Sequence, residues 1–235
     1  MRLLVTRPQE EGERTAAALR ARGHSVLLAP LLYFETLTAD FGAGPFAAVL
    51  TTSANAARAV ATHARLGELR GLPLYTVGRR SAEVARGTGF ASVHSADGDA
   101  HDLVRLVARE AAGAVAHLLY LAGEDRSVDL AEELGRHGLV VRTTVIYRAV
   151  AAERLPRAAE QAIAAGEVDG VLHYSARSAA TFLRCAGAAG LRERALAHFC
   201  LSAQVAAPLA AAGVADIRVA PRPDEEALID VIGSA

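Results

Sequence analysis

At four places a hydroxyl side chain stands where a β-prone run gives way to a helix-prone one: Thr52-Ser53, Ser81, Ser175 and Ser202. A serine or threonine at such a junction caps a helix by accepting a backbone N–H of its first turn, a contact worth about 1 kcal/mol. Capping accounts for each one singly. Together they outline a chemistry, because helix N-termini at the carboxyl ends of parallel strands present N–H donors and a positive dipole end to any anionic oxygen nearby.

Arg7 and Arg126 follow equivalent strand-like runs, Leu3-Leu4-Val5-Thr6 and Leu118-Leu119-Tyr120-Leu121, and an arginine there can grip a carboxylate through two N–H groups. The competing account is a surface arginine paired with Glu10 or Asp129. Gly78 and Gly123 allow close backbone approach without composing a nucleotide fingerprint. Tyr147 carries a phenol that can donate a hydrogen bond or a proton, or can simply pack. His101-Asp102 and His173-Tyr174 have the types of an acid/base pair, but the 8 histidines lack ligand spacing, so no metal site is expected.

All 25 basic residues are arginine, and the absence of lysine excludes a Schiff-base mechanism, pyridoxal phosphate anchoring and a P-loop. A net charge of −1 without a basic cluster argues against nucleic acid. Cys185 and Cys200 read as reduced core thiols of a cytoplasmic protein. With a strand expected from Arg2 onward, no signal peptide is expected, and no apolar run reaches membrane-span length.

The elements that must position these residues come in two copies. Val49-Leu50-Thr51-Thr52-Ser53-Ala54 is echoed by Val171-Leu172-His173-Tyr174-Ser175-Ala176, and the segment from Leu3 to Tyr33 by that from Leu118 to Tyr147. Strands are expected at residues 2–6, 25–29, 48–52, 74–77, 92–95, 117–121, 140–146, 170–174, 198–201 and 217–220, making two parallel sheets of five. Helices are expected between them, including 54–65, one opened by Ser81, and 178–185. Residues from Val171 onward supply only three strands, so the N-terminal two must complete their sheet and one domain is discontinuous. The expectation is residues 1–34 plus 152–235 as one α/β domain and 35–151 as an inserted one, their apolar crossings pairing as a two-stranded β hinge beside a cleft.

Val5-Thr6-Arg7-Pro8, Leu50-Thr51-Thr52-Ser53-Ala54-Asn55-Ala56, Val77-Gly78 with Ser81-Ala82, Tyr120-Leu121-Ala122-Gly123 with Arg126, Val145-Ile146-Tyr147 and Ser202-Ala203-Gln204-Val205-Ala206, in this order along nearly the whole chain, resemble the uroporphyrinogen-III synthase family. The resemblance implies two flavodoxin-like domains and a cofactor-independent, cytoplasmic, monomeric lyase. Such an enzyme cyclises the linear tetrapyrrole hydroxymethylbilane to uroporphyrinogen III, with inversion of the last pyrrole ring and loss of water, for haem, sirohaem or cobalamin synthesis. It further implies Tyr147 as the catalytic phenol and Arg7, Thr52, Ser53, Ala54, Gly78, Ser81, Gly123, Arg126, Ser175, Ala176 and Ser202 as the substrate-binding set, many through backbone amides. The alternative from another class is a hinge-linked binding protein for a small polycarboxylate.

Overall fold

The computed structural model describes residues 1–113, 115–126, 128–191 and 195–233. The chain forms two compact units, Met1–Tyr33 with Val150–Ala235, and Phe34–Ala149. It begins with β1 (Arg2–Val5), α1 (Gln9–Ala21) and β2 (Ser25–Leu28). Then come β3 (Leu32–Thr36), β4 (Phe46–Thr51), α2 (Ala54–Val60), α3 (Leu66–Leu69), β5 (Pro73–Thr76), α4 (Arg79–Gly87), β6 (Ser92–Ser95), α5 (Ala100–Glu110), β7 (His117–Gly123), α6 (Leu130–Gly135) and β8 (Val141–Ala151). It finishes with α7 (Arg157–Ala164), β9 (Gly170–His173), α8 (Ala176–Ala188), β10 (Ala197–Cys200), α9 (Ala203–Ala211), β11 (Ile217–Val219) and α10 (Glu225–Ile232).

One sheet has five parallel strands in the order β11-β10-β9-β1-β2. The other has six, β3-β8-β7-β4-β5-β6, parallel from β8 to β6. The sixth strand corrects the expectation of two sheets of five. The first crossing is itself a strand, and it runs antiparallel to β8: Leu37 N donates to Ile146 O at 2.8 Å and Ala152 N to Leu31 O at 2.9 Å, so numbering rises on one strand as it falls on the other. Its backbone groups need partners, and β8, longer than expected, supplies them from its free edge.

The repeats pair β4 with β9, and β7 and β8 with β1 and β2; chain order then sets β5 and β6 against β10 and β11. Under that pairing both sheets have one spatial order, β2-β1-β9-β10-β11 and β8-β7-β4-β5-β6. In each, the winding reverses at one strand pair, β1/β9 or β4/β7. Connections on the two sides of that pair run in opposite directions along the sheet, the arrangement at whose carboxyl strand ends open α/β sheets take their ligands.

Successive strand residues face opposite ways, and helices cover both faces, which is why the strands read as continuous apolar runs. Val49, Leu119, Leu121 and Ile146 join the core on one face of the six-stranded sheet, whereas Leu50, Leu118 and Tyr120 join that on the other. In the five-stranded sheet Leu4 and Val171 face one core and Leu3, Val5, Leu172 and Phe199 the opposite one. Each such fully buried side chain contributes about 1.5–3 kcal/mol.

Several helix bounds differ from expectation, two of them for reasons visible in the packing. The helix expected over 54–65 ends at Val60, because the His63 ring accepts the Arg65 N–H at 3.2 Å, approaches Ala39 O at 2.9 Å and stacks on Phe41, contacts that a continuing helix would forfeit. The helix expected over 178–185 begins at Ala176, since Ser175 is its cap.

His173 and His198 stack in the interior of the five-stranded sheet, His173 Nε2 lying 3.0 Å from His198 Nδ1. Burial holds His173 well below its usual value, with His198 adding to the effect, and lowers His198 to about 4. Both are neutral when folded, while the unfolded chain takes up protons from about pH 6.5 downward. The unfolded state thus binds more protons below that point, and stability present above pH 6.5 drains away as pH falls toward 4, by about 3 kcal/mol for His198 alone. Urea unfolding at a series of pH values should show this slope, and His198→Asn, which cannot titrate, should flatten it.

Candidate functional site

The β4/β7 reversal is tied across its top by side chains. Thr51 Oγ1 accepts Ser53 N at 3.2 Å and donates to Ser53 O at 3.0 Å, which folds the strand end into a tight turn. Ser53 is then extended and caps α2, its Oγ accepting Asn55 N at 3.1 Å. Thr52 Oγ1 lies 3.2 Å from the Tyr120 hydroxyl on the neighbouring strand. Tyr120 is almost wholly buried; burial raises its phenol above the usual value, the Thr52 bond pulls it back, Tyr147 raises it and Arg126 lowers it.

At the end of β7 the register against β8 slips, pairing Ala122 with Val145 but Gly123 with Tyr147. The slip lays the tyrosine ring on the glycine. A Cβ at Gly123 would stand 2.6 Å from Tyr147 Cζ and 2.7 Å from its hydroxyl oxygen, so no larger residue fits without moving the phenol. Phe34 meets the same ring edge-on, with centroids 5.8 Å apart. Arg126 Nη1 donates to Gly123 O at 2.8 Å and Glu124 N to Tyr147 O at 3.0 Å, fixing both sides of the contact. Thr52, Ser53, Ala54, Gly123, Arg126 and Tyr147 thus belong to one strand-end group.

Gly78, beyond the next strand, is the N-cap of α4 in extended backbone, and a Cβ there would meet nothing within 4 Å. Ser81 does not open α4 as expected. It lies in the first turn, buried, because Thr76 Oγ1 donates to Gly78 O at 3.1 Å and brings the helix start forward to Arg79.

In the other unit Thr6 Oγ1 donates to Leu172 O at 2.7 Å across the β1/β9 reversal. Ser175 caps α8, its Oγ accepting Ser178 N at 3.1 Å, and Ala176 is the first helical residue. Ser202 caps α9 through Val205 N at 3.4 Å. Arg7 stands over the Tyr174 ring, 4.2 Å from its centroid, and Nη1 donates to Glu225 Oε1 at 2.9 Å and Thr15 Oγ1 at 3.3 Å. Tyr174 donates to the same oxygen at 3.1 Å, and burial pushes its phenol strongly upward, so it stays protonated.

The two histidine pairs separate. Asp102 accepts Asp99 N at 2.9 Å in the capping box of α5, and His101 lies 3.7 Å from Asp99 in solvent. His173 faces His198 rather than the Tyr174 hydroxyl. Sequence reasoning passed over Tyr120, Thr15 and Glu225 and weighed Tyr174 only beside His173. A phenol inside an apolar strand run was the available signal for Tyr120; nothing local marks Thr15 or Glu225, which meet Arg7 only in the fold.

Residues 13–230 match the family model described as uroporphyrinogen-III synthase HemD. No curated protein matches the chain at a significant level. A solved uroporphyrinogen-III synthetase from Helicobacter pylori 26695 superposes with a TM-score of 0.65 at 18% identity, covering 99% of this chain and 98% of that one. A uroporphyrinogen III synthase from Thermus thermophilus gives 0.45 at 17% identity over 99% and 96%, too low to add weight. The first likeness carries the α/β fold.

The glycine geometry separates folding from chemistry. Gly78→Ala should lower stability by no more than about 1 kcal/mol, the N-cap preference for glycine over alanine, because its Cβ enters open space in a backbone conformation any residue adopts. Gly123→Ala must displace the Tyr147 ring, and tyrosine near-ultraviolet dichroism should register the change.

Proposed function

Since the chain belongs to the uroporphyrinogen-III synthase family, matched over residues 13–230, we propose that it cyclises hydroxymethylbilane to uroporphyrinogen III with inversion of the last pyrrole ring. That family match is what carries the reading. The strand-end chemistry fits it: the substrate bristles with acetate and propionate groups, and capped helix starts flanked by arginines suit carboxylates.

The chemistry is a redox-neutral loss of water. The C–O bond of the terminal hydroxymethyl group breaks as its oxygen takes a proton, leaving an azafulvenium cation. A substituted pyrrole carbon attacks it to give a spiro intermediate, which fragments and recloses with the ring inverted, and the pyrrole carbon that closes the ring then loses its hydrogen as a proton, balancing the one taken up by the departing water. Because the bilane also closes unaided to the uninverted isomer, the main task is to hold one folded geometry, an effect worth roughly 7–11 kcal/mol in favourable cases. Proton donation adds typically about 10²–10⁴-fold. We assign it to Tyr147, whose ring is pinned between Gly123 and Phe34. The binding roles fall to Arg7, Arg126, the backbone about Thr52-Ser53-Ala54, Gly78, Ser81 and Gly123, and Ser175-Ala176 and Ser202.

On this reading the enzyme is a cofactor-independent, cytoplasmic, monomeric lyase. Among the described residues no helix is long and apolar enough to cross a membrane. We also infer two flavodoxin-like halves joined by a two-stranded hinge. The common strand order and the β3/β8 pairing, within which the chain passes from one unit to the other, support it.

Supplied with hydroxymethylbilane, the protein should shift the oxidised product from isomer I to isomer III; an unchanged ratio refutes the activity. Tyr147→Phe should slow turnover by about one to three orders of magnitude, and full activity would reduce Tyr147 to packing. Ser53→Ala should cost about 1 kcal/mol of stability and little rate. Ser53→Pro should do far more harm, since it deletes an amide donor.

A further inference from the structure

We propose that Arg7, Thr15 and Tyr174 form a carboxylate subsite that Glu225 fills in the free protein and that a carboxylate of the substrate takes over. The proposal rests on the tetrapyrrole reading above. Its basis is convergence: Arg7 after β1, Thr15 of α1 and Tyr174 after β9 all direct donors at one oxygen, Glu225 Oε1. Fastening α10 needs one ion pair. Three donors from three elements instead make the lining of a receptor for a carboxylate, whose oxygens each accept more than one bond.

Position and accessibility support exchange. The subsite lies at the β1/β9 reversal, Tyr174 immediately preceding the Ser175 cap of α8. The Glu225 side chain is 41% exposed, against 22% for Arg7, so the occupant is the more open partner. Its departure leaves α10 capped, because Asp224 Oδ1 accepts Ala227 N at 2.8 Å. Arg7 remains stacked on Tyr174, and replacing one carboxylate by another never strands its charge, whereas simple loss of Glu225 would.

Selectivity follows. A tethered carboxylate competes as if present at millimolar concentration or more. A small monocarboxylate cannot displace it, but a ligand already anchored through other carboxylates gains the same intramolecular advantage. The subsite therefore favours a polycarboxylate.

Steady-state kinetics with hydroxymethylbilane tests this. Glu225→Gln keeps the shape but surrenders the charge, so KM should fall about tenfold, the scale of one charge-assisted hydrogen bond, with the effect in KM rather than in kcat. Adding Arg7→Gln in that background should raise KM again. An unchanged or higher KM in Glu225→Gln would overturn the proposal and leave Glu225 a fastening for α10. Should that variant fail to fold, Glu225→Asp, which retracts the carboxylate by one methylene, carries the test: a lower KM supports the subsite and an unchanged one refutes it. Wild-type protein in the same assay keeps the two readings apart, since a parent that never shifts the isomer ratio overturns the synthase reading itself and this subsite with it.

Discussion

A parallel strand covered by helices on both faces leaves only its ends open to solvent, and everything chemical in this protein follows from that burial. Leu3, Leu4, Val49, Leu50, Leu118 and Leu119 are fully enclosed, so the central stretches of β1, β4 and β7 offer no side chain to a ligand. The carboxyl ends are different. There the chain turns into a helix, the first N–H groups lack intrahelical partners, and the dipole end is positive. Where the winding reverses, at β1/β9 and β4/β7, neighbouring connections diverge, which sets two helix starts side by side. Side-chain bridges hold both reversals, Thr6 to Leu172 in one sheet and Thr52 to Tyr120 in the other.

Charge is managed without lysine. Arginine cannot lose its proton and binds through a planar fork, so in this chain it serves as a fixed cation rather than a proton carrier. Arg126 is turned onto Gly123 O, and Arg7 is already matched by Glu225. Arg7 is thereby neutralised by a carboxylate, whereas Arg126 keeps its full charge beside a backbone carbonyl. The environment differs among the phenols at these strand ends: Tyr174 is buried and firmly protonated, Tyr120 is buried against Thr52, and Tyr147 is partly buried between a glycine and a second ring.

The Tyr147 contact shows how backbone and side chain are coupled. The register slip at Ala122/Gly123, the missing Cβ and the edge-on Phe34 ring together leave one direction for the phenol. None of the three would suffice alone, since a tyrosine has little to restrain it at a strand end without neighbours. Phe34 belongs to the strand made by the first crossing, so the same paired ribbon that carries the chain between units also supplies a wall for this ring.

Sequence alone determined what depends on neighbours in the chain. Alternating apolar runs and small-residue helices made the α/β class and most strands readable, and Ser53, Ser175 and Ser202 were legible as caps because a cap is a contact across two or three residues. The internal repeat, being a comparison of the chain with itself, exposed the correspondence of strands on which both sheets share one order. Tertiary structure decided what depends on groups far apart. The first crossing, expected to pair with the second, joined the six-stranded sheet as its edge strand beside β8, the helix start moved from Ser81 to Arg79, and the break after Val60 came from His63 meeting Ala39 and Phe41. The convergence of Arg7, Thr15, Tyr174 and Glu225, with the last of them 218 residues from the first, has no local signature, because a hydrogen bond is specified by separation in space and the chain's order records only separation along the backbone.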